Sequence, residues 1–174
     1  RHWRRWVALA LVLALVALPS SRGNVQDRAI AGDLLLEILI ESDLAARELC
    51  ARRLQDMSQA PKRLLRFLAL DAPEVAKIIL AENKAFDDAD LVYVVNHGET
   101  PHRMAVAGRK ELGAAVSLAI AETRDPAAMR ALLENNTCKL SDRAVELIVS
   151  ASRKARDLCP LLASREEVRP AHAL

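Results

Sequence analysis

Apolar positions in this chain fall in triplets spaced for one face of a helix, and the triplets themselves recur. The residues Ser42, Asp71, Thr100, Asp125 and Lys154 stand 29, 29, 25 and 29 residues apart and anchor five copies. Four residues past each anchor comes Ala46, Val75, Met104, Met129 or Leu158. Seven and eight past come Leu49 and Cys50, Ile78 and Ile79, Ala107 and Gly108, Leu132 and Leu133, or Leu161 and Leu162. Positions i, i+3 and i+4 share a helical face. The first four anchors are Ser, Asp, Thr and Asp, whose short side-chain oxygens accept from the unbonded N–H groups of a helix start. Pro101 and Pro126 directly follow two anchors, at the first helical position, where a missing N–H costs nothing. Each copy is therefore predicted to open with a capped amphipathic helix.

A second helix is predicted in each complete copy from Leu64-Leu65-Leu68, Leu91-Val92-Val95, Val116-Ala119-Ile120 and Val145-Ile148-Val149. Asp87-Asp88 and Ser141-Asp142 supply caps and acidic first turns that suit the helix dipole. Polar and turn-forming residues collect in the connectors 58–61, 83–88, 97–101 and 135–141. Residues 91–95 are rich enough in Val and Tyr to read as a strand, but their place in the repeat and their acidic lead-in make them helix. A repeat of this length suits stacked helical hairpins. The expected fold is all-α: a right-handed α-solenoid of HEAT-like hairpin repeats near 42–70, 71–99, 100–124, 125–153 and 154–174 (partial), with N-terminal helices over 3–41. All of 1–174 is read as a single helical-repeat domain.

Composition agrees with helix packing, since half of the chain is hydrophobic but only 3% is aromatic. The net charge of +2 is too small to point to nucleic acid. Charge is nevertheless banded: Arg52, Arg53, Lys62, Arg63 and Arg66 form a basic stretch, and 71–90 is mostly acidic. The five glycines form no phosphate-cradling run. Cys50, Cys138 and Cys159 are widely separated, so neither a disulfide framework nor a zinc site is expected. Cys50 sits at a core position, Cys159 lies beside Leu158, and Cys138 falls in a connector where exposure is expected.

The N-terminus admits two readings. Arg1, Arg4 and Arg5 precede an apolar run from Trp6 to Leu18, then Pro19, Ser20 and Ser21. Thirteen residues are short for a bilayer span, and the run resembles a secretory signal whose cleavage pattern is poor. A helix apolar all round is otherwise a buried one. The compartment expected is the cytoplasm, with export or membrane anchoring as the alternative that rests on residues 1–18.

Several short blocks carry a resemblance: Leu18-Pro-Ser-Ser-Arg22, Gln26-Asp-Arg-Ala29, Asp33-Leu-Leu-Leu36, Asp71-Ala-Pro-Glu-Val75, Asp90-Leu91, His102-Arg103, Ala105-Val-Ala107 with Arg109, and Leu132-Leu133 with Asn136. In order and spacing they resemble an uncharacterised alphaproteobacterial family of HEAT-like helical repeat domains, over roughly residues 5–165. The resemblance implies that the apolar N-terminal helix belongs to the folded domain. It implies no activity. Gly108 and Lys110, flanking Arg109, depart from the family pattern, as does the unusually apolar first helix.

No catalytic constellation emerges. His97, Glu99 and His102 straddle Thr100-Pro101, and the two histidines do not share a helical face. Ser117 and Ser150 lie within helices, while Glu111, Glu122 and Glu134 read as helix-surface carboxylates. No cofactor and no metal are called for. The candidate binding surface is His102, Arg103, Arg109 and Asn136, at the ends of neighbouring repeat helices, where a guanidinium fork suits a carboxylate or phosphate. The competing reading has Arg109 and Asn136 bonding helix-end carbonyls, and Asn83 holds a similar place one repeat earlier. The functional expectation is a non-enzymatic protein-interaction scaffold. The alternatives are a HEAT-like repeat enzyme or sensor for an anionic or nucleic-acid ligand, in the manner of alkyl-base DNA glycosylases or bilin lyases, and an exported or membrane-tethered domain. A protein partner is expected, with a homodimer through apolar terminal helices as a further possibility; the fifth copy stops short of its second helix, so either the chain continues, or that face meets a partner, or the apolar N-terminal helix folds back over part of the stack.

Overall fold

The structure, a computed structural model, describes residues 3, 6, 25–169 and 172. The expected apolar helix of residues 6–18 lies outside the described residues, save for Trp6. Ten α-helices and no strand occur among the described residues. They are α1 (Val25–Ile40), α2 (Leu44–Leu54), α3 (Lys62–Ala69), α4 (Pro73–Glu82), α5 (Asp88–His97), α6 (Thr100–Ala107), α7 (Ala114–Glu122), α8 (Pro126–Glu134), α9 (Asp142–Ser152) and α10 (Leu158–Ala163). Residues 91–95 are helical, as their acidic lead-in predicts. None of these helices is long and apolar enough to cross a membrane.

The chain divides into two compact units, Arg1–Asp87 and Asp88–Leu174. In the first, α1 packs on α3, α2 on α4, and α3 on α4. The α1–α3 contact is close: a Cβ on Gly32 would fall 2.6 Å from the Cβ of Pro61. In the second, α5 packs on α7, α6 on α8, α7 on α9 and α8 on α10, and α5 also touches α6, α6 touches α7, α7 touches α8, and α9 touches α10. Within each unit, then, a helix meets the helix two places along.

The helix starts explain the repeat better than the anchors do. Observed N-caps are Asp43, Ala72, Glu99 and Asp125. Three, seven and eight residues past these caps come Ala46, Cys50 and Ala51; Val75, Ile79 and Leu80; His102, Val106 and Ala107; and Ala128, Leu132 and Leu133, all buried. Relative to the expected register, the first and second copies move by one residue and the third moves back by one. Met104, expected in the core, is therefore 44% exposed, and Leu49 is 38% exposed.

Side-chain hydrogen bonds account for these shifts. The Ser42 hydroxyl donates back to the Ile38 carbonyl (2.6 Å), leaving Asp43 to accept the Ala46 N–H (2.9 Å). Asp71 caps no helix with its side chain, because one carboxylate oxygen takes the Ala72 N–H and the other takes Arg47. Thr100 is the first helical residue and not a cap, which moves Pro101 to the second position. Asp125 and Ser141 cap α8 and α9 as expected, accepting from Ala128 and Ala144, and Pro126 opens α8. Glu111 lies in a connector with φ 56°, not on a helix surface.

Candidate functional site

The four candidate residues lie at the ends of α6 and at the end of α8. His102 and Arg103 lie in its first turn. Arg109 follows its last turn, and Asn136 follows α8.

At the helix starts the polar side chains form rungs. His102 is buried, and its Nδ1 accepts the Glu99 backbone N–H (3.1 Å), one of the N–H groups left unbonded where a helix begins. Arg103 donates from Nε to the Val95 carbonyl (3.1 Å) and from Nη1 to the Asp125 carboxylate (3.2 Å). Thr100 donates to the same carboxylate oxygen (2.6 Å). Burial alone would raise the Asp125 carboxyl, but the hydrogen bonds from Thr100, Arg103 and the Ala128 N–H, with the Arg103 charge, outweigh it and hold the group below the usual carboxylate range. The same device appears in the first unit. Arg47 donates to the Ser42 carbonyl (2.7 Å) and to Asp71 (2.7 Å). Arg47 and Arg103 both stand four residues past their caps, and each reaches the aspartate at the start of the next packed helix. Arg130 of α8 pairs likewise with Asp157, the N-cap of α10.

A second set of rungs joins the helix ends. Asn83 donates to the Leu54 and Met57 carbonyls (2.7 and 3.3 Å) at the end of α2, and its own oxygen accepts the Ala85 N–H (2.8 Å). Asn135 donates to the Ala107 and Arg109 carbonyls (both 2.7 Å) past α6, and its oxygen accepts from Thr137. Arg165 continues the pattern after α10, donating to the Asn135 and Cys138 carbonyls (2.8 and 3.0 Å) while Glu167 holds its guanidinium. The amide serving the α6 end is thus Asn135, not its neighbour Asn136, which is exposed. Burial holds the half-buried Arg109 guanidinium below its ordinary value.

The other reactive groups are dispersed. Burial pushes the Cys50 thiol up to about 12. Cys138 is buried and not exposed as its connector position predicts, because its thiol donates to the Leu132 carbonyl (3.3 Å) and Arg165 lies against its sulfur. Burial raises this thiol, while Arg165 opposes the rise. Cys159 is exposed. His97 stacks on Tyr93 at 4.0 Å and donates to its carbonyl. Among the described residues no three His, Cys, Asp or Glu side chains gather as a metal site.

Most of these rungs are not evident in the sequence. Arg47 and Arg103 fall at different distances from the anchors, so the anchors hid their equivalence, which measurement from the true caps reveals. A family described as uncharacterised proteins conserved in bacteria (DUF2336) matches residues 75–174. With more than half of its length matched, the chain belongs to that family. No curated protein and no solved structure matches it.

Proposed function

We propose that this chain is a non-enzymatic scaffold, a right-handed α-solenoid of HEAT-like repeats that holds a protein partner in the bacterial cytoplasm. The observation that carries the reading is the use made of its polar side chains. Arg47, Arg103, Asn83, Asn135 and Arg165 each bond a helix end or the start of a neighbouring helix, an arrangement that commits these polar groups to helix packing. Stacked helices present a long continuous face for a partner. The proposed contact includes Arg109 and Asn136, at the ends of α6 and α8.

The test begins with affinity capture by the whole chain, then reconstitution of any captured protein in pure form and titration calorimetry. The reading expects a stoichiometric complex that Arg109→Glu with Asn136→Ala weakens at least about tenfold, the effect of losing about 1.4 kcal/mol. Nucleic acid or a small anion binding in place of protein, or a complex untouched by the double variant, would contradict it.

A further inference from the structure

We propose that the basic turns at 124 and 153–156 form a docking strip for an acidic peptide segment of a protein partner. One turn joins α7 to α8 and the other joins α9 to α10. Because α7 packs on α9 and α8 on α10, the two turns lie side by side on one edge of the second unit. Arg130 of α8 pairs with Asp157 across that edge. Arg124, Arg153, Lys154 and Arg156 are all exposed, and none of the four side chains has a hydrogen-bond or ion-pair partner among the described residues. The aspartates beside them are already committed: Asp125 to Thr100, Arg103 and the Ala128 N–H, and Asp157 to Arg130. Each rung thus cancels an aspartate and leaves the cations of the turn uncompensated. Glu122, in the last turn of α7, is the one other acid within two residues of them, so positive charge remains in excess.

Arg124 occupies the position just after the C-cap of α7 with φ 57°, where glycine is the usual residue. The fold alone favours glycine there, and the arginine adds a cation to the edge. Packed helices stand about 8–10 Å apart, a distance that about three residues of extended chain cover at about 3.3 Å each. A short run of Asp or Glu can therefore reach both turns, and guanidinium forks suit its carboxylates. A bilayer fits the strip less well, because the large apolar side chains exposed among the described residues all precede residue 105. The chain's net charge of +2 is small for a duplex. The inference rests on the scaffold reading in that its ligand is part of a protein. It uses the helix-start edge, in which Arg109 and Asn136 take no part.

The experiment titrates a fluorescein-labelled octaglutamate peptide with the full chain and reads its anisotropy, with octaglutamine as the neutral control. Urea unfolding of each variant reports that it is folded. The expected result is saturable binding of the glutamate peptide alone, weakened by salt. Arg124→Gly, a substitution that suits the fold, should weaken binding about threefold, and Lys154→Glu/Arg156→Glu at least about tenfold. Arg109→Glu/Asn136→Ala should bind the peptide as the parent does. Because the probe is synthetic, this outcome stands or falls without any captured protein. No binding by the parent, or equal affinity in Arg124→Gly and Lys154→Glu/Arg156→Glu, would overturn the proposal. So would loss of binding in Arg109→Glu/Asn136→Ala, which places the acidic segment on the helix-end edge. Phosphatidylglycerol vesicles or a DNA duplex displacing the peptide at lower concentration than unlabelled octaglutamate would also overturn it.

Discussion

Ser117 shows what a single side chain costs in so closely packed a stack. It is fully buried in α7, and its hydroxyl has no hydrogen-bond partner among the described residues. An unsatisfied buried hydroxyl costs about 1–3 kcal/mol, so Ser117→Ala is expected to raise stability by about 1 kcal/mol, read from the urea midpoint. Arg124, just past the C-cap of α7, is held at φ 57°, where a side chain costs about 1–2 kcal/mol. Arg124→Gly relieves that strain, offset by greater freedom of the unfolded chain, for a net gain of about 0.5 kcal/mol. Asn135 argues in the other direction. A carboxylate cannot donate to the Ala107 and Arg109 carbonyls and would set charge against two oxygens, so Asn135→Asp should cost about 2–3 kcal/mol and Asn135→Ala less. Equal melting temperatures for the two variants would show that these bonds do not matter. Asp125 adds a pH signature. Its carboxyl is depressed in the folded state, so its contribution is full above the ordinary carboxylate pKa, about 4, and is lost as pH falls through the lower folded value. In Arg103→Met the acid-side decline in stability below about pH 4 should flatten.

At the scale of the helices, Gly32 is a place where α1 comes close to the N-cap of α3. A methyl group there would meet the Pro61 ring at 2.6–2.7 Å, and Gly32→Ala should cost about 1–3 kcal/mol as the two helices are forced apart. A melting temperature unchanged by that substitution would mean that the contact yields freely. Helices were the most legible feature of the sequence, because Leu64, Leu65 and Leu68, or Ala128, Met129, Leu132 and Leu133, declare a face by spacing alone. Their boundaries were less legible. Ser42 and Thr100 are good capping residues in isolation, yet their hydroxyls are drawn to Ile38 and Asp125, and no local pattern records that competition. The place of Asn83 in the repeat points to a structural role, and Asn83 and Asn135 both bond helix-end carbonyls. The particular amide, Asn135 or Asn136, depends on how α8 ends. Arg165 and its hold on Cys138 were invisible, since they join residues 27 positions apart across a loop.

For the molecule as a whole, the rungs give the two units a common construction. In each, an arginine four residues past a cap reaches the aspartate that begins the next packed helix, and an asparagine closes the helix ends. Arg103 and Asp125 are 23% and 9% exposed, so their pairing should count for more than an open surface ion pair. The central claim, that the most suggestive charged residue serves stacking, is tested most directly by a double-mutant cycle in urea with Arg103→Met, Asp125→Asn and the pair combined. The account predicts a coupling of about 1 kcal/mol or more, with the double variant less destabilised than the sum of the singles. Additive effects, within about 0.3–0.5 kcal/mol, would contradict it and return Arg103 to the candidates for binding a ligand.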